Sequence, residues 1–593
     1  MPRETRPNRP QRQLMKLKQE SSLNSGNSPL IPGRCRTLRV RVSYSPHSNC
    51  RQEIPSILLV HPHPARMQSR FVFALTVLVL SAFPSAALEP ASHFSDHMVL
   101  QRDANVPVWG KAEKRAMVKV SFAGQNKSTK ANKAGEWRLQ LDPLKASSRN
   151  RSMTISSAGK AKTIENVLVG EVWVGSGQSN MAGQAGRYAA KDHTLKKLIA
   201  SAPYPSIRLM RGGPKPVWEE ASEANVSRFS ALAISFGEAL HRQLDVPVGL
   251  IVGAVGGTPS HAWMPEEIFE NSERCKKEIA EFAKTYDAVR AQKQHEAKLA
   301  AFEKAAAKAK AEGKKVRGRK PRPPVNPGES TRGGKTGGLF DRFIRSSSGY
   351  AIRGVLWDQG EAGSGILGLG QYSSMTELIR GWRELWGQGD FPFLFVQKPS
   401  GMGNAFSKKD PITREANAFT KALPDIRRIG VGKSRYIYTR LMLDNENAWM
   451  VPASDLGPQV HPINKWGYGN RAAQIALQKV YGTDIQAYGP VYASHRIEGD
   501  KVRVTFNESG AGLVAAHADS AQGFALSSDD GKWHWAKAKI AGKNSVVLSS
   551  GEVKKPKHVR YAYSGNRTWA NLFNMEGLPA LSFTTEEVDL SQR

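Results

Sequence analysis

The sequence predicts an α/β protein, with a parallel sheet covered by helices at its centre and a β region on either side. Three observations carry this. Through the middle of the chain, apolar stretches at 171–174, 248–255, 352–357 and 391–396 read as strands and alternate with helical segments near 229–243, 371–386 and 466–480, and such alternation implies parallel strands joined by helical crossovers. From 88 to about 169, short alternating runs at 98–100, 106–109, 117–122 and 137–141 are separated by Gly, Asn and Lys turns, the pattern of a small β-sandwich. From about 486 onward short alternating strands return at 502–506, 545–548 and 559–563. The expected organisation is therefore an N-terminal β-sandwich over 88–169, a catalytic domain over 170–485 and a C-terminal β region over 486–593. Ligands of a parallel sheet collect at the carboxyl ends of its strands.

The chain start has a different character. An apolar run over 71–83 follows Met67-Gln-Ser-Arg70 and precedes Pro84-Ser-Ala-Ala87, giving the basic start, short apolar core and small residues of a signal peptide over 67–87. Translation is expected to begin at Met67, with residues 1–66 an untranslated or disordered extension, and the protein to be exported to the periplasm or beyond. An uncleaved anchor is the alternative, but the run is shorter than the ~20 residues that span a bilayer, so no stable membrane association is expected after cleavage. Of Cys35, Cys50 and Cys275, only Cys275 belongs to such a mature chain, which excludes an intramolecular disulfide.

The formal net charge of +33 suggests nucleic acid until it is located along the chain. Residues 1–66 hold 12 basic and 3 acidic residues, and 276–335 hold 17 against 7, so these two segments carry more than half the excess. No groove-reading or aromatic motif accompanies the basic run at 314–322, which argues against a nucleic-acid partner. Residues 266–338 interrupt the strand–helix alternation: 266–300 are helix-prone, and 301–338 decay into Lys-Ala and then Arg/Pro/Gly sequence. This segment reads as an insertion that projects from the catalytic domain and ends in a flexible basic loop.

Gly175-Ser-Gly-Gln-Ser-Asn-Met181 directly follows the strand at 171–174. A serine at a strand end can present its hydroxyl at the sheet edge while its own N–H faces a developing oxyanion; a structural turn serine is the other reading of Ser179. Met181 stands where a Gly-x-Ser-x-Gly elbow needs its second glycine, which argues against an α/β-hydrolase. His461 opens the segment Val460-His-Pro-Ile-Asn-Lys-Trp-Gly-Tyr468 at a loop-to-helix junction, where a lone histidine is more often a cap. Two further strand ends, Gly253-Ala-Val-Gly-Gly-Thr258 and Trp357-Asp-Gln-Gly-Glu361, supply oxyanion-hole donors: the backbone N–H of Gly256 or Gly257 and the amide of Gln359.

Taken in order, Val172-Trp-Val-Gly-Ser-Gly-Gln-Ser-Asn-Met181, Gly256-Gly-Thr-Pro259, Ala262-Trp-Met264, Arg353-Gly-Val-Leu-Trp-Asp-Gln-Gly-Glu361 and His461-Pro-Ile-Asn-Lys465 resemble the blocks of the sialate O-acetylesterase family. The likeness extends to Phe94-Ser-Asp-His-Met-Val-Leu-Gln-Arg102 before them and Asn571-Leu-Phe-Asn-Met-Glu-Gly-Leu-Pro579 after them. It implies a flavodoxin-like SGNH-hydrolase catalytic domain, no metal and no cofactor, and deacetylation of an acetylated sugar or polysaccharide through an acyl-enzyme. On that resemblance Ser179 is the nucleophile and His461 its general base. Ser179 N–H, Gly256 or Gly257, and Gln359 hold the oxyanion, and Gln178 and Asn180 support the loop or the substrate. Many relatives carry an acid two or three positions before the histidine, where this chain has Gln459 and Pro458. Asp455 is then the expected triad acid, with Glu361 the runner-up. Ala362-Gly363 and Asp358 also depart from the family pattern. A xylan-type polysaccharide esterase and an inactive carbohydrate-binding protein are the alternatives; the oligomeric state stays open.

Overall fold

Over residues 160–177 the sequence passes from alternating to uniformly apolar, and the strand it forms, β1 (Lys160–Gly177), changes neighbours as it does so. Its polar first half pairs antiparallel with Ser147–Ser157, whereas residues from Glu171 onward are buried on both sides and pair in parallel with two other strands. Strands buried on both faces read as continuous apolar runs, which is what Val172-Trp173-Val174 provides. The computed structural model describes residues 88–428 and 432–591; the expected signal peptide, the extension before it, and Cys35 and Cys50 lie outside the described residues.

The central sheet comprises β1, β2 (Tyr204–Arg211), β3 (Trp218–Ala221), β4 (Val248–Ala254), β5 (Gly354–Asp358), β6 (Phe393–Val396) and β7 (Ala448–Val451), in the spatial order β3-β2-β4-β1-β5-β6-β7. All neighbours are parallel except β3, which pairs antiparallel with β2 at the edge. The sheet is therefore mixed where a purely parallel one was expected. The β2–β3 hairpin and β7 are the elements the sequence reading did not pick out. β1 sits where the strand order reverses, between β4 and β5, so a crevice opens at its carboxyl end.

Five helices bear on the site: α1 (Ser179–Ala182), α2 (Ala231–Leu244), α3 (Gln371–Trp386), α4 (Lys433–Asp444) and α5 (Lys465–Lys479). α2 and α5 pack closely because Gly469 has no side chain: a Cβ there would lie 2.7 Å from Leu232 O. Ser230 caps α2 by accepting from Ala233 N, and the helix ends at Asp245 in the left-handed region. α3 is anchored by the Trp382 indole, which donates to Trp263 O at 2.9 Å.

The N-terminal β region does not stand apart from this sheet. Met117–Phe122, Gln125–Lys130 and Ser147–Ser157 join it through β1, while Glu89–Pro90, Val106–Lys111 and Glu136–Leu141 form a separate three-stranded sheet. Phe94, Val106 and Trp137 share one apolar core with the central strands. The C-terminal region has a second core around Val504, Phe524, Leu548 and Val559. It contains a four-stranded sheet of β8 (Phe524–Ser527), β9 (Trp533–Trp535), β10 (His558–Tyr561) and β11 (Phe583–Thr584), ordered β9-β8-β10-β11.

The insertion begins with helices over Glu266–Asn271, Glu273–Ala283 and Ala288–Ala311. The last of these has no buried residue and runs past residue 300, where decay to a loop was expected. The return limb is a larger correction. Rather than forming a free loop, it is stitched to the central α/β region by Gly328 N to Leu367 O at 2.8 Å, Thr331 N to Gly365 O at 2.8 Å and Gly337 N to His261 O at 3.0 Å.

Candidate active site

Gly177 closes β1 with φ of +123°, and a Cβ at this position would overlap Asp358 O on the neighbouring strand. Only glycine allows the two strand ends to meet this closely. The next residue locks the junction, Gln178 N donating to Asp358 O at 2.7 Å, and Val255 N donates to Gly177 O at 3.1 Å from the other side. Three strand ends thus converge, and Ser179, half-buried, opens α1 above them.

His461 arrives from the opposite end of the sequence. Its Nε2 lies 2.7 Å from Ser179 Oγ, across 282 residues of chain. The histidine is exposed, so the pair faces solvent at the rim of the crevice. A Cβ built on Gly256 would be 3.5 Å from Ser179 Cβ, which puts that loop directly beside the serine. The N–H groups of Ser179 and Gly256 make no hydrogen bond among the described residues, leaving two amide donors beside the hydroxyl. Gly257 holds φ of +74° in open space, and Thr258 ties the loop down by donating to Val255 O at 2.7 Å while accepting from the Trp263 indole at 3.0 Å.

Gln359 does not join them. It is fully buried, its amide hydrogens go to Thr258 O at 3.3 Å and Gly363 O at 3.1 Å, and its oxygen accepts from Gln371. With both donors committed to carbonyls it fastens two loops together and has no hydrogen left for an oxyanion, a correction to the expectation from its residue type. Asp455 is likewise engaged elsewhere. Its carboxylate forms a buried two-pronged pair with Arg471, at 3.1 and 2.9 Å, with both side chains 1% exposed. Glu361 accepts from Gln178 Nε2 and pairs with Lys398 at 3.0 Å. Among the described residues no carboxylate hydrogen-bonds to His461, so neither expected triad acid reaches it.

Beneath the serine lies a buried polar layer that the sequence reading did not single out. Lys398 Nζ pairs with Asp358 at 2.7 Å and Ser400 Oγ at 3.0 Å, and Tyr468 donates to the second Asp358 oxygen at 2.7 Å. Burial alone would lower the Lys398 ammonium, but the carboxylates of Asp358 and Glu361 outweigh it and hold it above the usual lysine range. Asp358, which departs from the family pattern, is thereby a buried anchor for Lys398 and makes no surface for substrate. Lys465, fully buried on α5, donates to Asn180 Oδ1 and faces the rings of Tyr188 and Tyr468 at 4.6 and 5.1 Å. Burial drives its ammonium down to about 7, against the pull of Asp358. Asn180 in turn donates to Val460 O at 3.1 Å, so the residues beside Ser179 and beside His461 are held by one amide. The signal for this layer was weak: Lys398 stands between the apolar strand β6 and Pro399, and Lys465 sits in a helix whose neighbours are otherwise buried.

The comparisons with known proteins agree with this region. A family model described as carbohydrate esterase, sialic acid-specific acetylesterase, matches residues 169–300. The human sialate O-acetylesterase is 30% identical over 202 residues, 29% of this chain and 38% of that protein. The mouse sialate O-acetylesterase is 26% identical over 371 residues, 56% of this chain and 64% of that protein. The chain thus spans less than two thirds of the length of these curated relatives. A carbohydrate acetylesterase from Xanthomonas citri has the same fold, with a TM-score of 0.61 at 24% identity over 84% of this chain and 99% of that one. The resemblance to the sialate O-acetylesterases read from the motifs is borne out by these matches.

Proposed function

We propose that this chain, similar as it is to sialate O-acetylesterases, is a serine carbohydrate esterase that removes O-acetyl groups from sugars with Ser179 and His461. The observation that carries this is the 2.7 Å contact between Ser179 Oγ and His461 Nε2 at the carboxyl edge of the sheet. Counting only β4, β1, β5, β6 and β7 in chain order, the strands run 2-1-3-4-5, the flavodoxin-like order, which supports the SGNH-type catalytic domain, with β2 and β3 as an added edge.

The chemistry follows from the arrangement. Ser179 Oγ attacks the acetyl carbonyl carbon as its proton passes to His461 Nε2, and the carbonyl electron pair moves onto oxygen. The amides of Ser179 and Gly256 receive that oxyanion. When the carbonyl reforms, the bond to the sugar oxygen breaks and His461 returns the proton to it, leaving Ser179 acetylated. Water repeats the sequence, losing its proton to His461, and acetate departs. With Asp455 and Glu361 both engaged elsewhere, we read the pair as a dyad. The histidine is held by its loop, through Val460 O, Asn180 and Lys465. O-acetylated sialic acid is the substrate that the relatives' names suggest, and an exported location follows from the signal-like segment 67–87.

The test is hydrolysis of p-nitrophenyl acetate, followed by acetate release from a panel of O-acetylated sugars. Ser179→Ala and His461→Ala should each lower kcat by about 10⁴-fold or more. Turnover that survives Ser179→Ala would remove the serine from the mechanism, and absence of turnover in the unaltered chain would favour a binding protein on the same fold.

A further inference from the structure

The C-terminal four-stranded sheet carries a pocket whose lining includes neither Ser179 nor His461. Alternation along β9 puts Trp533 and Trp535 on one face of the sheet. The register pairs Trp535 with Ala525 on β8 and Ala525 with Arg560 on β10. The smallest side chain therefore stands between two of the largest, and a depression follows. Gly523 extends it, with Trp569 packed at 3.2 Å from where its Cβ would be. The resulting cavity measures about 390 Å³, within the ~300–1,000 Å³ of small-molecule sites.

Its walls are aromatic and its donors are unspent. Arg560 lies over the Trp533 ring at 4.0 Å and the Tyr563 ring at 4.6 Å, and is fixed in place by Glu586. Trp569 is 5% exposed and Lys433 9% exposed, yet neither the Trp569 indole N–H nor the Lys433 ammonium makes a hydrogen bond or ion pair among the described residues. Neither atom is sealed from solvent. The carboxylates of Asp589 and Glu278 act on the Lys433 ammonium through space without accepting its hydrogens, and the lysine lines the cavity together with half-buried indole faces. The lining holds two cations, Lys433 and Arg560, against three carboxylates, Glu586, Glu587 and Asp589, which disfavours an anionic ligand.

From this geometry we infer a carbohydrate-binding site in the C-terminal region, taking a neutral pyranose unit of a glycan. Ring C–H faces would lie on the indoles, and hydroxyls would accept from Lys433 Nζ and Trp569 Nε1. Such a site would hold a glycan on the protein independently of ester hydrolysis.

The experiment is calorimetric titration of the full chain with unacetylated xylohexaose, mannohexaose and N-acetyllactosamine, with oligogalacturonate as the acidic comparison. Binding of at least one neutral probe is expected, weakened tenfold or more by Trp533→Ala and by Lys433→Met, with melting temperatures close to that of the unaltered chain. Should Trp533→Ala fail to fold, Lys433→Met decides alone. The inference is overturned if no neutral probe binds, if only oligogalacturonate binds, or if binding is unchanged in the folded variants.

Discussion

Replacing Asp455 by Asn separates a structural carboxylate from a catalytic one. The residue is 1% exposed and meets Arg471, equally buried, through two hydrogen bonds of 3.1 and 2.9 Å. Its charge also acts on Arg435 and Arg567, two further guanidiniums in the interior. Burial lowers Arg435 to about 9, with Arg567 adding to the effect and Asp455 opposing it. An amide of the same shape would leave three buried cations without their carboxylate. Breaking a buried ion pair from one side costs about 3–5 kcal/mol, and three affected arginines put the expected loss toward the upper end. The assay is urea unfolding, read as the shift in midpoint at constant slope, alongside kcat on p-nitrophenyl acetate under conditions where the variant is folded. A carboxylate that orients the general base behaves differently: its loss lowers kcat by about 10⁴-fold with the geometry intact. We expect a large drop in stability and a kcat within about tenfold of the unaltered chain. Unchanged stability together with a kcat reduced by thousands would refute the assignment of Asp455 to Arg471 and return it to the histidine.

Two further predictions concern the crevice. Lys465 is lowered from 10.5 to about 7, so burying its ammonium costs stability below pH 7, and the cost fades as pH rises from 7 toward the usual lysine value; at 1.36 kcal/mol per unit it amounts to roughly 5 kcal/mol. Unfolding of Lys465→Met across pH 6–10 should lack this rise, while its kcat falls about tenfold as Asn180 loses its anchor; parallel stability curves for the two proteins would count against the buried ammonium. Gly177→Ala should destabilise by roughly 2–4 kcal/mol, combining a strained φ with overlap against Asp358 O, and thermal unfolding indistinguishable from the parent would contradict the tight strand-end junction.

What the sequence disclosed and what it withheld follow from the range of the interactions. The strands at β1, β4, β5 and β6 were legible because burial on both faces leaves an unbroken apolar run, and helices such as α3 because their periodicity is local. The edge hairpin β2–β3 was not, since Arg208 and the Glu219-Glu220 pair break the run. Ser179 and His461 stood out as motif residues at a strand end and a helix start. Gln359 could be read as a donor from its residue type, but that both its hydrogens are spent depends on where Thr258 and Gly363 fall. Asp455 lies near His461 in sequence, yet Arg471, a turn and a half into α5, claims it. Lys398 and Lys465 look like ordinary lysines until the partners that justify burying them, Asp358 and Asn180, arrive from distant segments.

The central claim, that an acetyl group passes through the oxygen of Ser179, is tested most directly by rapid quenching during turnover of an acetyl ester and mass spectrometry of the digested chain. One acetyl increment on the peptide that contains Ser179, absent from Ser179→Ala, is the predicted result. Turnover with no acetylated peptide, or with the acetyl group on another side chain, would contradict it.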